Sequence, residues 1–274
     1  MNLSPEELAR VLVEGRKFSK AFAKFPALVP LDLSYSYEVQ EAAIGMWEDE
    51  IIGWKIGRLS PEAQSCHNTE RLTGPIFKKR FWLANANVNN ISIIDGGFAA
   101  VEAEFVFEIG RDAPIEKTQF SQNDAFELIS SVYAGVEIAG SPIFDINSYG
   151  PTVVASDFGN NNGLILGNKI ADINDIDQLN AASVKEFHAK SYVNAVCVGE
   201  GGLFSMPNGP LSAVAWLAGH LAQRGRPLKR GQFVSSGATT GIHDVFDRDS
   251  SQIDFEYKGA NVSHFNIAIS NEVI

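Results

Sequence analysis

Two glutamates spaced two residues apart carry the sharpest chemical signal in the sequence. They lie in residues 101–107 (VEAEFVF), whose aromatic and β-branched residues are typical of a strand. Because side chains alternate between the faces of a strand, Glu102 and Glu104 share one face, with their α-carbons about 7 Å apart. Two such carboxylates can converge on one hard cation such as Mg²⁺ or Mn²⁺. The alternative is the solvated face of an edge strand.

A third glutamate, Glu137, is the only charged residue in the apolar run 134–140 (AGVEIAG). A carboxylate buried in such a strand is costly unless it is paired or bound to a metal. Alternatively, Glu137 points to water from a half-exposed strand. Taken together, Glu102, Glu104 and Glu137 predict a single divalent metal site.

Lys55 is the only charged residue in another apolar run, 53–57 (GWKIG). Burial lowers the pKa of a lysine and makes it usable as an acid or base near neutral pH. The alternative is a lysine at a strand edge whose ammonium group reaches water. The sequence therefore offers Lys55 as a candidate acid or base.

The remaining reactive residue types form no recognisable motif. The sequence has no nucleophile elbow, no P-loop and no glycine fingerprint between a strand and a helix. His67, His188 and His264 have no partners at metal-ligand spacing, although His243 follows a polar turn that could line a pocket. The two cysteines, Cys66 and Cys197, suggest neither a disulfide framework nor a paired metal site, which favours a reducing compartment.

The elements that must position these residues are mostly strands. Ser4 and Pro5 predict the start of a helix that runs to about residue 24. The clearest predicted strand covers residues 98–109, and residues 149–162 have the composition of a loop. Strands in series with a few inserted helices predict an α+β fold with a rolled or barrel-like sheet. Further strands are predicted at 51–57, 91–94, 136–138, 164–166, 183–188, 193–198, 232–235, 252–257 and 263–269, and further helices at 36–47, 124–131 and 210–224.

Length and charge limit the class of protein. With 274 residues, of which 45% are hydrophobic, the chain can bury a sizeable core. A net charge of −11 argues against nucleic acid and anionic membranes as partners, and an anionic substrate would need a locally built cationic site. No apolar run reaches the roughly 20 residues of a membrane span, and the charged N-terminus is not a signal peptide. We therefore expect a cytoplasmic protein.

Four segments together resemble a known family. They are GWKIGRLSPE (53–62), VEAEFVFEIGRDAP (101–114), GVEIAGSPI (135–143) and PLSAVAWLAGHLAQRGRPLKRGQFVSSGA (210–238). In this order, they resemble the 2-keto-4-pentenoate hydratases of the fumarylacetoacetate hydrolase superfamily. The likeness covers nearly the whole chain from about residue 35, and the order and spacing of the segments make it specific.

The resemblance implies a mixed β-roll or partly closed barrel preceded by N-terminal helices. Residues 1–80 would form an N-terminal cap region and residues 81–274 the catalytic β-roll, together one structural unit. Glu102, Glu104 and Glu137 match the family's metal-binding carboxylates, for Mg²⁺ or Mn²⁺, and Lys55 matches its active-site lysine. The positions implied for substrate binding are Phe77, Lys79, Asp157, Asn160 and Thr239.

The activity implied is that of a hydro-lyase in aromatic-compound catabolism. It would add water to a 2-hydroxydienoate, or the unsaturated 2-oxo acid derived from it, and give a 4-hydroxy-2-oxo acid. Alternatives on the same fold are a C–C hydrolase of acylpyruvates, a 2-oxo acid decarboxylase and a non-catalytic binding protein, because a fold alone does not choose a reaction. We also expect a homo-oligomer.

One departure from the family pattern bears on the substrate. After residues 74–77 (GPIF), where the better-known hydratases carry acidic residues, this chain has Lys78 and Lys79. A cation there could hold a second carboxylate on the substrate, and adjacent residues on an extended segment point in opposite directions. We therefore expect at most one of these lysines to reach the pocket; the alternative is that both are solvated.

Overall fold

The chain begins with two packed helices in the computed structural model, which describes residues 3–85, 87–176, 179–180 and 182–271. Helix α1 spans Pro5–Lys17 and helix α2 spans Leu33–Met46. Ser4 caps the start of α1 as predicted, and it also forms a reciprocal capping box with Glu7. The predicted extension to about residue 24 is wrong, because Ser19 adopts a φ of 44°, outside the helical region.

The other elements are mainly strands, most of them close to their predicted positions. The strand predicted at 98–109 and the helix predicted at 210–224 are confirmed. In chain order the elements are β1 (Ile51–Arg58), α3 (Pro61–His67), β2 (Arg71–Phe77), β3 (Phe81–Leu83), β4 (Asn89–Ile93), β5 (Phe98–Ile109), α4 (Gln122–Leu128), β6 (Ile129–Ser141), α5 (Pro151–Ser156), β7 (Asn161–Asp172), β8 (Phe187–Val193), β9 (Val196–Gly202), α6 (Gly209–Gln223), β10 (Phe233–Ser235), β11 (His243–Asp244), β12 (Ser250–Tyr257) and β13 (Ala260–Asn271).

Three local predictions are wrong. The predicted loop at 149–162 contains helix α5, which begins with a proline in its first turn, where proline is favoured. The helix predicted at 124–131 ends at Leu128, because the β-branched residues that follow enter strand β6. The strand predicted at 183–188 is a 3₁₀ turn over Ser183–Glu186, and β8 starts only at Phe187.

The strands form two sheets. The larger has the order β2-β1-β10-β5-β6-β7-β3, with β11 paired to β5, and the smaller has the order β4-β13-β12-β8-β9. Phe105 of β5 packs edge-to-face against Phe187 and Phe255, which belong to the smaller sheet, so the core lies between the two sheets. These sheets and the N-terminal helices confirm the predicted α+β fold, and the larger sheet is curled like half a barrel.

Strands from both halves of the chain meet in the larger sheet. β1 is antiparallel to β2 and parallel to β10, and β10 is antiparallel to β5. The region before residue 80 thus contributes two strands to the sheet that also contains β5 and β6, and this arrangement brings Lys55 towards the glutamates. Within the described ranges, no helix has both the length and the apolar character of a membrane span.

Candidate active site

Three buried glutamates converge at the centre of the larger sheet. Glu102 and Glu104 extend from one face of β5, and Glu137 of β6 lies directly opposite Glu102 in the antiparallel register. One carboxylate oxygen from each residue lies within 4.8 Å of the others. Their exposed fractions are 4%, 0% and 0%, so the alternative of a solvated strand face does not describe these residues.

Each of the three carboxyl groups has one buried oxygen without a hydrogen-bond partner among the described residues. Ser235 Oγ donates a hydrogen bond to Glu104 Oε2, which also accepts one from the Gly237 backbone N–H at 2.9 Å. Asn161 Nδ2 donates to Glu137 Oε1 at 3.0 Å. Three buried oxygens have no hydrogen-bond partner within the described part of the chain: Glu102 Oε1, Glu104 Oε1 and Glu137 Oε2. Such atoms are costly to bury, and an all-oxygen set fits a hard divalent cation.

Burial and repulsion by neighbouring carboxylates raise the pKa values of Glu102 and Glu104. Burial raises the pKa of Glu102 to about 8, with the charge of Glu137 adding to the effect and that of Lys55 opposing it. Burial also raises the pKa of Glu104 well above its ordinary value, and the charges of Glu137 and Glu102 act in the same direction. Without a cation, the site therefore retains protons at neutral pH.

Lys55 reaches this site from β1. Its buried ammonium Nζ donates to Asn160 Oδ1 at 3.0 Å and lies 3.4 Å from Glu137 Oε1. Burial lowers the pKa of Lys55, but the charges of Glu137, Glu102 and Glu104 outweigh it, and the net pKa is raised. The predicted lowering is thus wrong for this arrangement, because burial was considered without the neighbouring carboxylates.

A cavity of about 480 Å³ opens beside the glutamates, a volume suited to a small organic ligand. Lys55, Glu102 and Asn160 contribute to its wall at the end nearest the carboxylates. Asn160 Nδ2 also donates to Asn147 Oδ1 at 3.4 Å, which orients the amide oxygen towards Lys55. Of the five residues implied for substrate binding, Asn160 lines this cavity.

Asp157 holds the loop that carries Asn160 and does not line the described cavity. The guanidinium of Arg16 binds both Asp157 carboxylate oxygens, at 2.6 and 2.9 Å, and Ser141 Oγ donates to one of them at 2.6 Å. Arg16 also donates to the backbone carbonyl of Asn161 at 2.9 Å. The buried ion pair therefore anchors the loop to helix α1, and both carboxylate oxygens of Asp157 are hydrogen-bonded within the protein.

Gly74 of β2 closes the other side of this loop. A Cβ placed on Gly74 would lie 1.8 Å from the Phe158 carbonyl oxygen, so only glycine allows this approach. The loop itself turns at Gly159, whose φ is 63°.

Three other residues implied for substrate binding do not line the described cavity. Phe77 packs against the rings of Trp47 and Phe158, and Thr239 Oγ1 donates to the Ala103 carbonyl at 2.9 Å. Lys79 Nζ donates to the carbonyl of Glu48 at 2.8 Å on the protein surface. None of these three side chains lines the cavity within the described ranges.

The lysine pair that departs from the family pattern is solvated. Lys78 forms an ion pair with Glu50 at 2.7 Å, and both side chains are 65% exposed. Strand β2 ends at Phe77, and the 3₁₀ turn Lys78–Arg80 directs both lysines to an acidic surface segment. The structure thus does not bring Lys78 or Lys79 to the cavity, contrary to the expectation that one of them reaches it.

Sequence reasoning missed three arginines near the site. Arg16 lies four and eight residues after Leu12 and Leu8, so helical spacing placed it on the buried face of α1. Arg58 and Arg71 line the cavity, and they face each other in the β1–β2 pair. Arg71 begins the run 71–77, which is mostly apolar and is buried along its whole length. The apolar character of that run was the indication in the sequence that Arg71 is buried.

Removing the Arg16 guanidinium should destabilise the protein strongly, because it leaves the buried Asp157 carboxylate unpaired. We expect Arg16→Met to lower the free energy of unfolding by about 3–5 kcal/mol. Urea denaturation measures this, with Arg111→Met as the control at an exposed Arg111–Glu127 pair. Equal losses in the two variants would contradict a structural role for the buried pair.

Solved structures of other proteins share this fold. One is 4-oxalocrotonate decarboxylase from Pseudomonas putida complexed with magnesium and adipate, with a TM-score of 0.78, 19% identity and 97% of each chain covered. Another is a yeast protein of the fumarylacetoacetate hydrolase family, with a TM-score of 0.52, 12% identity and coverage of 80% of this chain and 92% of that one. The fold is therefore that of the fumarylacetoacetate hydrolase family.

Sequence relatives narrow the class further. The TodF product hydratase of Pseudomonas putida is 32% identical over 230 residues, covering 79% of this chain and 80% of the relative. The 2-keto-4-pentenoate hydratase 1 of Dechloromonas aromatica is 27% identical over 95% of this chain and 96% of the relative. No family model matches the sequence. This chain belongs to the 2-keto-4-pentenoate hydratase family of hydro-lyases.

Proposed function

We propose that this chain is a divalent-metal-dependent hydro-lyase of aromatic-compound catabolism that adds water to a 2-hydroxydienoate. The observation that carries the proposal is the buried cluster of Glu102, Glu104 and Glu137, with one unpaired oxygen on each residue, beside Lys55 and an open cavity. Membership of the hydratase family supports hydration as the reaction.

The three glutamates would hold the cation, and we propose Mg²⁺, with Mn²⁺ as a substitute. Their oxygen donors suit such hard ions, and the raised pKa values of Glu102 and Glu104 describe a site that is short of positive charge. When bound, a divalent cation supplies Lewis-acid stabilisation of enolate character in a 2-oxo acid. Glu102 lines the cavity and so lies where the cluster meets a ligand.

Lys55 is the residue that would move protons. Asn160 holds its ammonium at 3.0 Å from the amide oxygen, which fixes the direction from which a proton reaches the substrate. In the first step, the 2-hydroxyl of 2-hydroxypenta-2,4-dienoate loses its proton and carbon 5 gains one, giving 2-oxopent-3-enoate. In the second step, water supplies hydroxyl to carbon 4 and a proton reaches carbon 3, giving 4-hydroxy-2-oxopentanoate.

Product analysis tests this proposal. We expect the protein with Mg²⁺ to convert 2-hydroxypenta-2,4-dienoate to 4-hydroxy-2-oxopentanoate, to lose this activity in EDTA and to regain it when Mg²⁺ is restored. An acylpyruvate incubated in parallel should stay intact. Cleavage of the acylpyruvate without hydration of the dienoate would replace the proposal with a C–C hydrolase.

The compartment and assembly follow as further parts of the proposal. Cys66 and Cys197 are exposed free thiols, which suits the reducing cytoplasm. The family resemblance supports a homo-oligomer, in which exposed apolar side chains such as Leu31 and Leu83 would be available for contact. Sedimentation measures the assembly.

A further inference from the structure

The cavity has a cationic end beyond Lys55. Arg58 of β1 and Arg71 of β2 are directly opposite each other in the antiparallel pair, and both line the cavity that Lys55 also lines. Arg58 is three residues after Lys55, so the arginine pair lies about 10 Å farther along the strand and its side chains leave the opposite strand face. The cavity continues past the end of β1 to Leu59 and Ser60, so Glu102 and the two arginines line the same space.

Arg71 is buried, and its guanidinium group has few hydrogen-bond partners among the described residues. Its side chain is 3% exposed, and its Nε has no hydrogen-bond partner within the described residues. One terminal nitrogen donates to the Pro207 carbonyl at 3.4 Å and lies 4.0 Å from Glu70, whose side chain is 53% exposed. Burial lowers the pKa of the Arg71 guanidinium despite the opposing charge of Glu70. A buried cation with so few partners is costly unless an anion joins it.

We propose that Arg71, with Arg58 beside it, binds a second carboxylate at the far end of the substrate. This inference rests on the proposed function, in which the 2-oxo acid end lies at the three glutamates. Arginine binds carboxylates through two parallel hydrogen bonds, and this chain of net charge −11 would otherwise repel a doubly charged ligand. The preferred substrate is therefore a 2-hydroxydienoate or 2-oxo acid with a terminal carboxylate, and 2-hydroxypenta-2,4-dienoate is a smaller substrate of the same reaction.

The contact also changes which residue would recognise extra negative charge. The family resemblance implies that Lys79 reaches the cavity, but its Nζ instead donates to the Glu48 carbonyl on the protein surface. Arg71 thus replaces Lys79 as the cation that selects for extra negative charge.

Two unreactive ligands of equal length test the inference: 2-oxoadipate and 2-oxohexanoate, which differ in the terminal carboxylate. We expect calorimetry with Mg²⁺ and the full chain to show about 10- to 100-fold tighter binding of 2-oxoadipate, the range for a hydrogen-bonded charged group. Arg71→Gln should lose this preference and keep its affinity for 2-oxohexanoate. Arg111→Gln, at an exposed position, should behave as the wild type.

Arg58 supplies a second variant, because it is exposed and its replacement does not disturb the core. Arg58→Gln should lose part of the preference for 2-oxoadipate over 2-oxohexanoate. If Arg71→Gln does not fold, the affinities of Arg58→Gln and the wild type test the inference. Equal affinity of the wild type for both ligands would overturn the inference and leave the hydratase proposal standing. An undiminished preference in folded Arg71→Gln would overturn it as well. Binding of neither ligand in the presence of Mg²⁺ would overturn both proposals.

Discussion

Lys55→Met should give a folded protein whose turnover is lower by about 10²–10⁴-fold, the usual contribution of a positioned proton donor or acceptor. Methionine keeps the length and apolar character of the buried stem and removes only the ammonium group. The variant should still bind 2-oxohexanoate in the presence of Mg²⁺, because the glutamates and the cavity wall remain. Steady-state kinetics with 2-hydroxypenta-2,4-dienoate measures the loss in kcat.

Metal affinity separates a proton-transfer role from a structural one. The Lys55 ammonium lies 3.4 Å from Glu137 Oε1, so it competes with a cation for the same carboxylate. Lys55→Met should therefore bind Mg²⁺ at least as tightly as the wild type while losing turnover. Lys169→Met, at an exposed ion pair with Asp172, is the matched control and should change neither property. Near-normal turnover in Lys55→Met would show that the lysine lines the cavity without transferring protons.

The local features of the site could be predicted from the sequence because they depend on strand periodicity. Alternation in residues 101–107 put Glu102 and Glu104 on one face, and strand β5 has the predicted bounds. A single charge in an apolar run likewise made Glu137 and Lys55 candidates for burial, and both are buried. The pairing that brings β1 next to β10 is not local, and only the resemblance to a family suggested that Lys55 lies near the glutamates.

The remaining features depend on contacts between residues far apart in sequence. Arg16 and Asp157 are separated by 141 positions, and periodicity carries no information about such a pair. The positions of Lys78 and Lys79 follow from a 3₁₀ turn and an acidic neighbour at Glu50, which the family pattern does not contain. The same reason explains why the pKa of Lys55 is raised and not lowered as predicted: three carboxylates from other strands outweigh the effect of burial.

Without metal, the protein should become less stable as the pH rises towards 8. Folding raises the pKa of Glu102 from 4.5 to about 8, so in this interval the folded state binds more protons than the unfolded state. The stability linked to such a group is fully present below the unfolded pKa and is lost as the pH rises through the folded pKa. In EDTA, the melting temperature should therefore fall between about pH 5 and pH 8.

Mg²⁺ should reverse this trend, because it binds the deprotonated carboxylates of the folded state. At 100 times its dissociation constant, a ligand stabilises by about 2.7 kcal/mol, which corresponds to a rise of about 5–10 °C in melting temperature. The rise should be largest at pH 8 and small at pH 5, where protons occupy the site. Thermal unfolding at both pH values, with Mg²⁺ or EDTA, measures it.

Glu104→Gln distinguishes a metal ligand from a carboxylate that stabilises the fold, because the two roles predict opposite changes in the melting temperature. The amide keeps an oxygen that can accept from the Gly237 N–H, and it replaces a buried carboxyl group whose pKa is raised by folding with a group that never ionises, which removes the loss of stability linked to that pKa at pH 8. In EDTA at pH 8 the variant should melt above the wild type, and Mg²⁺ should not raise its melting temperature. Glu127→Gln, on the surface, should respond to Mg²⁺ as the wild type does. If Glu104 instead served to stabilise the fold as an anion, Glu104→Gln would melt below the wild type in EDTA, because the variant would lose a favourable charge with no repulsion relieved.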